Sequence, residues 1–112
     1  MIIEKNRKKI AEGKFLGKFS FGLMFKKNVN KPHILESITE SILFSTIHTY
    51  FVFTELDIIW LDSKNEIVDI KKSVKPFSVN IKPKKPAKYI IETKPGFVKK
   101  HRLKNGQKLS LI

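Results

Sequence analysis

Residues 56–61 combine apolar side chains with a single acid. Successive side chains of an extended strand point to opposite faces. One face of this segment therefore carries Leu56 and Trp60, and the other carries Asp57 and Ile59. Because both faces are apolar apart from Asp57, the pattern predicts a strand in the interior of a sheet, with the aspartate on a covered face.

Alternation, β-branched residues and turn signals predict further strands along the chain. The N-terminal strands carry lysines, which is typical of the exposed edge of a sheet. Three prolines between residues 76 and 86 predict an extended loop that cannot be an interior strand. The predicted strands are residues 2–11 as one or two edge strands, 34–35, 42–53, 56–61, 66–72 after a turn at 62–65, 88–93, and a last strand after a turn at 105–106.

The first of two predicted helices rests on a stripe of apolar residues. Phe15, Phe19 and Leu23 are four residues apart, so they share one side of a helix within residues 14–27. Gly17 interrupts this segment and weakens the helix by about 1 kcal/mol relative to alanine. The pattern nevertheless predicts a short helix here.

The second predicted helix lies near the C-terminus. Residues 95–103 are expected to form one or two helical turns, with Pro95 near the start. Together the elements predict a mainly β, α+β fold in a single domain spanning residues 1–112. We expect a compact β-sandwich or partly closed barrel of about six or seven strands with two short helices.

Charge is distributed unevenly along this basic chain, whose 23 Lys and Arg residues exceed its 10 Asp and Glu residues by 13. Residues 47–70 have a net charge of −4, whereas residues 71–112 hold thirteen basic residues and one acid. Such asymmetry predicts an anionic partner, either nucleic acid or a membrane surface. The alternative is a lysine-rich composition of the kind found in low-GC or heat-adapted proteins. The nucleic-acid interpretation assigns the contacts to Lys82, Lys84, Lys85, Lys99, Lys100 and Arg102.

The sequence also disfavours several functional classes. It has no cysteine, which excludes disulfides, thiolate metal sites and cysteine nucleophiles and fits a reducing compartment. The N-terminus lacks the apolar core of a signal peptide. The longest uncharged run, residues 41–54, is too short to span a bilayer, so a cytoplasmic protein without a transmembrane segment is predicted. Neither a GxSxG nucleophile motif nor a phosphate-binding glycine loop is present, and no cofactor is expected.

Four segments in series carry a resemblance to a known family. They are GLMFKK (22–27), HTYFVFTELDIIWLD (48–62), KPAKYIIETKPG (85–96) and HRLKNGQKLSL (101–111). In order and spacing they resemble the domain of unknown function 192 family (DUF192) over about residues 15–111. The resemblance implies a mostly β fold with small helices. It implies no agreed activity, so no catalytic residue can be transferred.

This sequence departs from the family pattern at several positions. Val52 and Phe53 stand where the family usually has Met and a polar residue, and Glu55 replaces the proline of its Pro-Leu-Asp motif. Gln107 stands where the family has an acid after the last glycine. A pocket that depended on those groups would be altered here.

Asp57 is the sharpest candidate site residue. A carboxylate on a covered strand face needs a partner, since leaving it unpaired costs several kcal/mol. Lys26, His48 or a set of backbone N–H groups would supply one. The contact would either hold the fold together or form part of a ligand or acid–base site, and the third alternative is that Asp57 is simply exposed at the end of its strand. No metal is predicted, because His48 and the other histidines, His33 and His101, lack ligand spacing.

Glu92 is the second acidic candidate, on the predicted strand at 88–93. It would either pair with a nearby lysine or lie beside Asp57 as a second carboxylate, as in glycoside hydrolysis. The leading hypothesis is a non-enzymatic binding or accessory module for a small molecule or protein, with a polar site of Lys26, His48, Asp57 and Glu92. The alternatives are a nucleic-acid or polyanion binder using residues 71–108 and, third, a hydrolase-like enzyme with a carboxylate pair.

Overall fold

A computed structural model of the chain describes residues 1–18, 31–42, 55–75 and 81–112. These residues form eight strands and one short helix. The elements are β1 (Ile2–Lys5), β2 (Lys8–Glu12), β3 (Lys14–Lys18), β4 (His33–Ser41), β5 (Leu56–Leu61), β6 (Ile67–Val74), β7 (Ala87–Thr93), α1 (Phe97–Lys100) and β8 (Ser110–Leu111).

Two sheets contain all of the described strands. The larger has five strands in the order β3-β4-β7-β5-β6, and the smaller has three in the order β2-β1-β8. Only the β3–β4 pair is parallel, whereas every other neighbouring pair of described strands is antiparallel. Within the described residues neither sheet closes into a barrel, so the sandwich expectation agrees better with the fold than the partly closed barrel.

Apolar side chains form one core on each face of the five-stranded sheet. The inter-sheet core fills the space shared with the small sheet and α1. Its buried members are Ile3, Ile34, Ile59, Leu61, Ile67, Ile91, Val98, Leu103 and Leu109. The far-side core lies on the opposite face. Its buried members are Leu35, Leu56, Ile58, Trp60, Ile81, Ala87 and Ile90.

The interior position of β5 confirms the pattern seen at residues 56–61. All six of its residues are buried, and the strand lies between β7 and β6. Leu56, Ile58 and Trp60 enter the far-side core, whereas Ile59 and Leu61 enter the inter-sheet core. The alternation read from the sequence therefore assigns each side chain to the correct face.

The first predicted helix is wrong at its start. Residues Lys14–Lys18 form β3, which pairs in parallel with β4. At the start of β3 the Lys14 N–H donates a hydrogen bond to the Pro32 carbonyl oxygen at 2.8 Å. Gly17 adopts φ +84° where the register between the two strands shifts, a conformation that is incompatible with a helix. Residues 19–27 of the predicted helix lie outside the described residues.

The other expected elements agree with the fold, with changed bounds. The edge strands at 2–11 are β1 and β2, the short strand at 34–35 is part of the longer β4, and the second helix is the single turn α1. Gly106 has φ +91° in the expected turn before β8. The predicted strand at 42–53 lies, apart from residue 42, outside the described residues.

Candidate functional site

Three backbone N–H groups hold the Asp57 carboxylate, and its residue is 1% exposed. Oδ1 accepts a hydrogen bond from the Ser73 N–H at 2.9 Å. Oδ2 accepts two, from the Gly96 N–H at 3.1 Å and the Val98 N–H at 3.0 Å. The carboxylate thus ties β5 to β6 and to the start of α1, and hydrogen bonds of this kind are what a buried negative charge requires.

Local backbone geometry aims these N–H groups inward. Ser73 has φ +52° at a place where β6 has one more residue than β5, and Gly96 has φ +91° immediately before α1. Both are left-handed conformations, and the extra residue at Ser73 bends β6 locally. The sequence suggested Lys26, His48 or backbone N–H groups as the partner of Asp57. Within the described residues, backbone N–H groups fill this role. Lys26 and His48 lie outside the described residues, and a ligand-binding role for Asp57 stays a prediction.

Glu92 lies on the other face of the same sheet. It is directly opposite Ile58 of β5 and His33 of β4, so these three side chains share the far-side face. Glu92 is 4% exposed, and within the described residues no hydrogen bond or ion pair reaches its carboxyl group. Burial raises the pKa of Glu92 to about 8. The expected pairing with a nearby lysine is therefore absent among the described residues.

The strand register separates the two candidate acids. Asp57 is opposite Thr93, and Glu92 is the preceding residue on β7. Neighbouring residues of a strand point to opposite faces, so the two carboxyl groups face away from each other across the sheet. This geometry contradicts a carboxylate pair acting on one glycosidic bond, because both groups must then flank the same substrate.

Asp69 is a third buried acid, which sequence reasoning missed. It is 4% exposed and opposite Trp60 on the far-side face. One oxygen accepts from the Lys84 N–H at 3.0 Å and the other from the Ile70 N–H at 2.9 Å. The carboxylate therefore anchors the loop of residues 81–86 to β6. An acid inside an apolar alternating run was the available signal, the same one that drew attention to Asp57.

The predicted nucleic-acid residues are exposed but do not form one surface. Lys82, Lys84 and Lys85 belong to the loop that Asp69 anchors, and that loop packs Ile81 into the far-side core. In the second group, Lys99 and Lys100 belong to α1 and Arg102 follows it, and Val98 of this helix packs into the inter-sheet core. The five-stranded sheet therefore lies between the two groups.

Within 1–18, 31–42, 55–75 and 81–112, no group of three or more His, Cys, Asp or Glu side chains is arranged to hold a metal ion. None of the helices in those ranges is long and apolar enough to cross a membrane.

Comparison with known proteins identifies the family. The family model DUF192, described as "Uncharacterized ACR", matches residues 17–111. The chain belongs to the DUF192 family. This agrees with the motifs at 22–27, 48–62, 85–96 and 101–111.

Curated relatives extend the match to 98% of the chain. A UPF0127 protein of Thermococcus kodakarensis is 35% identical over 116 residues, which cover 98% of this chain and 72% of the relative. A UPF0127 protein of Pyrococcus abyssi is 35% identical over 97 residues, which cover 85% of this chain and 79% of the relative.

Two crystal structures share the fold. A protein of unknown function from Novosphingobium aromaticivorans has a TM-score of 0.78 at 17% identity, covering 88% of this chain and 74% of that one. A protein from Sinorhizobium meliloti has a TM-score of 0.71 at 19% identity, covering 88% of this chain and 79% of that one. At these identities the likeness shows the fold alone.

Proposed function

We propose that this DUF192 domain is a non-enzymatic binding module that holds a small organic cation beside Glu92 on the far-side face of its larger sheet. One observation carries the proposal. Glu92 is 4% exposed in the middle strand of the five described, and no hydrogen bond or ion pair from the described residues reaches its carboxyl group. Burial disfavours the charged form of a carboxyl group, and a bound cation offsets that cost.

The surroundings of Glu92 suit the body of a small ligand. Leu35, Ile58, Trp60 and Ile90 give this face an apolar lining, and ligand sites are mostly apolar with a few polar groups that fix orientation. A cation is the class that fits, because a positive charge next to the carboxyl group favours its ionised form, whereas burial favours the neutral one.

Binding without catalysis is the proposal because the other buried acids are already engaged. The carboxylates of Asp57 and Asp69 accept backbone hydrogen bonds on both oxygens. Glu92 therefore has no second carboxyl group available to it among the described residues. The binding centre moves from Asp57, where the sequence predicted it, to Glu92. Roles for Lys26 and His48, and a cytoplasmic location, stay predictions.

A matched set of probes tests this proposal. Benzylamine and benzamidine are the cations, benzyl alcohol is the neutral control and benzoate is the anionic control, each titrated by calorimetry. We expect the two cations to bind the native protein and to lose binding in Glu92→Gln. Glu12→Gln, which changes an exposed glutamate, should leave binding intact.

Proton release provides a second measurement in the same experiment. With its pKa raised to about 8, Glu92 is mostly protonated at neutral pH, so a bound cation should expel a large part of one proton at pH 7. Repeating the titration in buffers of different ionisation enthalpy counts these protons. The proposal fails if neither cation binds, if benzyl alcohol binds equally well, or if Glu92→Gln binds as the native protein does.

A further inference from the structure

The N-terminal hairpin and the C-terminal helix together carry an unbalanced positive charge. Residues 5–9 (KNRKK) and 99–104 (KKHRLK) contain eight Lys and Arg residues and no Asp or Glu. The two segments are far apart in sequence, so the sequence alone gives no reason to treat them as one surface.

Lys5 joins the two segments. Its Nζ donates hydrogen bonds to the carbonyl oxygens of His101, at 2.7 Å, and Arg102, at 3.1 Å. These carbonyls follow the end of α1, where unpaired oxygens and the helix dipole favour a cation. The contact spans 96 residues of sequence and places the β1–β2 turn against the end of α1.

The turn itself has a defined conformation. Asn6 and Arg7 connect β1 to β2 with φ values of 53° and 64°, as in the two-residue turns that suit the twist of a hairpin. Arg7, Lys8 and Lys9 are all exposed. The positions of these charges relative to α1 are therefore fixed by the fold, although the side chains extend into solvent.

The local electrostatics agree with this arrangement. The pKa of His101 lies below its usual value, first because of burial and then because the positive charges of Lys100 and Lys5 oppose a third one. Positive charges from the hairpin (Lys5) and from the helix (Lys100) therefore both act on the His101 side chain.

Acidic side chains offset little of the positive charge carried by residues 5–9 and 99–104. Among the described residues, Lys9 pairs with Glu12, with side chains 54% and 60% exposed, and Lys88 pairs with Glu36 in the larger sheet. A heat-adapted surface mixes acids and bases into ion-pair networks, whereas residues 5–9 and 99–104 contain bases alone. Composition by itself does not account for that segregation.

We propose that the basic residues of 5–9 and 99–104, called here the hairpin–helix surface, bind the phosphate backbone of a nucleic acid without reading its sequence. Flexible, exposed Lys and Arg side chains neutralise phosphates and release counterions, which gives affinity without base recognition. A membrane is the weaker candidate, because the exposed large apolar side chains among the described residues are Met1, Phe15 and Ile112, none of which belongs to this surface.

Three double variants with the same loss of charge test the proposal. Arg7→Gln/Lys8→Gln removes two charges from the hairpin, and Lys99→Gln/Lys100→Gln removes two from the helix. Lys82→Gln/Lys85→Gln is the matched control, because its two exposed charges lie in the loop on the other side of the larger sheet. Short fluorescein-labelled single strands and duplexes of RNA and DNA are titrated by anisotropy between about 50 and 200 mM salt.

The salt dependence gives the expected result. For single strands, log K changes with log salt by about −0.7 per neutralised phosphate, so each surface variant should reduce the magnitude of the slope by about 1.4. The control should keep the native slope. Because the charges are on exposed side chains, urea denaturation should give the same free energy of unfolding for all three variants as for the native protein.

The outcomes that overturn the proposal are equally definite. Absence of oligonucleotide binding at the lowest salt removes it. An equal loss in the loop control shows that net charge alone is responsible. Tighter binding to phosphatidylglycerol vesicles than to any oligonucleotide assigns the surface to membranes. None of these results bears on cation binding at Glu92, which faces the opposite side of the larger sheet.

Discussion

Replacing Glu92 by glutamine should change how the stability of this domain depends on pH. Burial raises the pKa of Glu92 from 4.5 to about 8, so the folded protein retains this proton at pH values where the unfolded chain has lost it. Between those two pH values the folded state binds more protons, and its stability therefore falls as pH rises. Glutamine has nearly the same shape and does not titrate.

The size of this change in stability follows from the pKa shift of Glu92. Each pKa unit corresponds to about 1.36 kcal/mol, so the difference between 4.5 and about 8 amounts to about 5 kcal/mol. The contribution is absent below pH 4.5, grows through neutral pH and is complete above pH 8. Glu92→Gln should consequently gain stability relative to the native protein by up to about 1.4 kcal/mol per pH unit across that window.

Urea denaturation at a series of pH values provides the assay. Trp60 is the sole tryptophan and is fully buried, so its fluorescence reports unfolding directly. Taking the difference between the variant and the native protein cancels the other titrating groups. Glu12→Gln, at an exposed position, should give a flat difference. Parallel stability curves for Glu92→Gln and the native protein between about pH 5 and pH 8 would refute the reasoning.

Three further predictions concern the polar contacts that hold the fold. Asp57→Ala leaves three backbone N–H groups without their acceptor and should cost more than about 3 kcal/mol in urea denaturation, against about 1 kcal/mol for Asp62→Ala in a partly exposed turn; equal losses would contradict the role given to Asp57. Lys5→Met should lower the hydrogen-exchange protection of α1 and cost about 1 kcal/mol, and unchanged protection would show that the lysine does not stabilise the helix end. Asp69→Ala releases the Lys84 N–H and should speed tryptic cleavage of the loop at 81–86, whereas an unchanged cleavage rate would mean that the loop is held by other contacts.

Local patterns predicted the strands that show clear alternation of side chains or an adjacent turn signal. β5 is the clearest case, because alternation along residues 56–61 assigned Trp60 and Ile59 to opposite cores. The β6 segment followed from the turn that precedes it. Such features depend on neighbouring residues, and they are therefore visible in the sequence.

The segment at Lys14–Lys18 shows where local patterns fail. Phe15 and Phe19 are four residues apart, and residues at that spacing share a face both in a helix and in a strand. The spacing cannot distinguish the two. Pairing with β4, whose His33 lies opposite Lys14, decided in favour of a strand, and that contact is not a local property.

The candidate site was only partly predictable for the same reason. Sequence reasoning recognised that Asp57 needs a partner, but the N–H groups that serve it belong to residues 16, 39 and 41 positions away. The relative orientation of Asp57 and Glu92 likewise depends on the register between β5 and β7, which a single sequence does not specify.

Asp57 and Glu92, two of the three buried acids described in the larger sheet, should therefore respond oppositely to removal. Asp57 is fully hydrogen-bonded, so its loss destabilises the protein, whereas Glu92 has no hydrogen bond from the described residues, so its loss relieves a cost that approaches 5 kcal/mol at high pH. Domains of this size have about 5–15 kcal/mol of stability in total, and an apolar residue at position 92 would serve the core better. A group that weakens the fold by so much has no structural justification in the described residues. That contrast, more than its position in a family motif, makes Glu92 the stronger functional candidate and Asp57 the structural one.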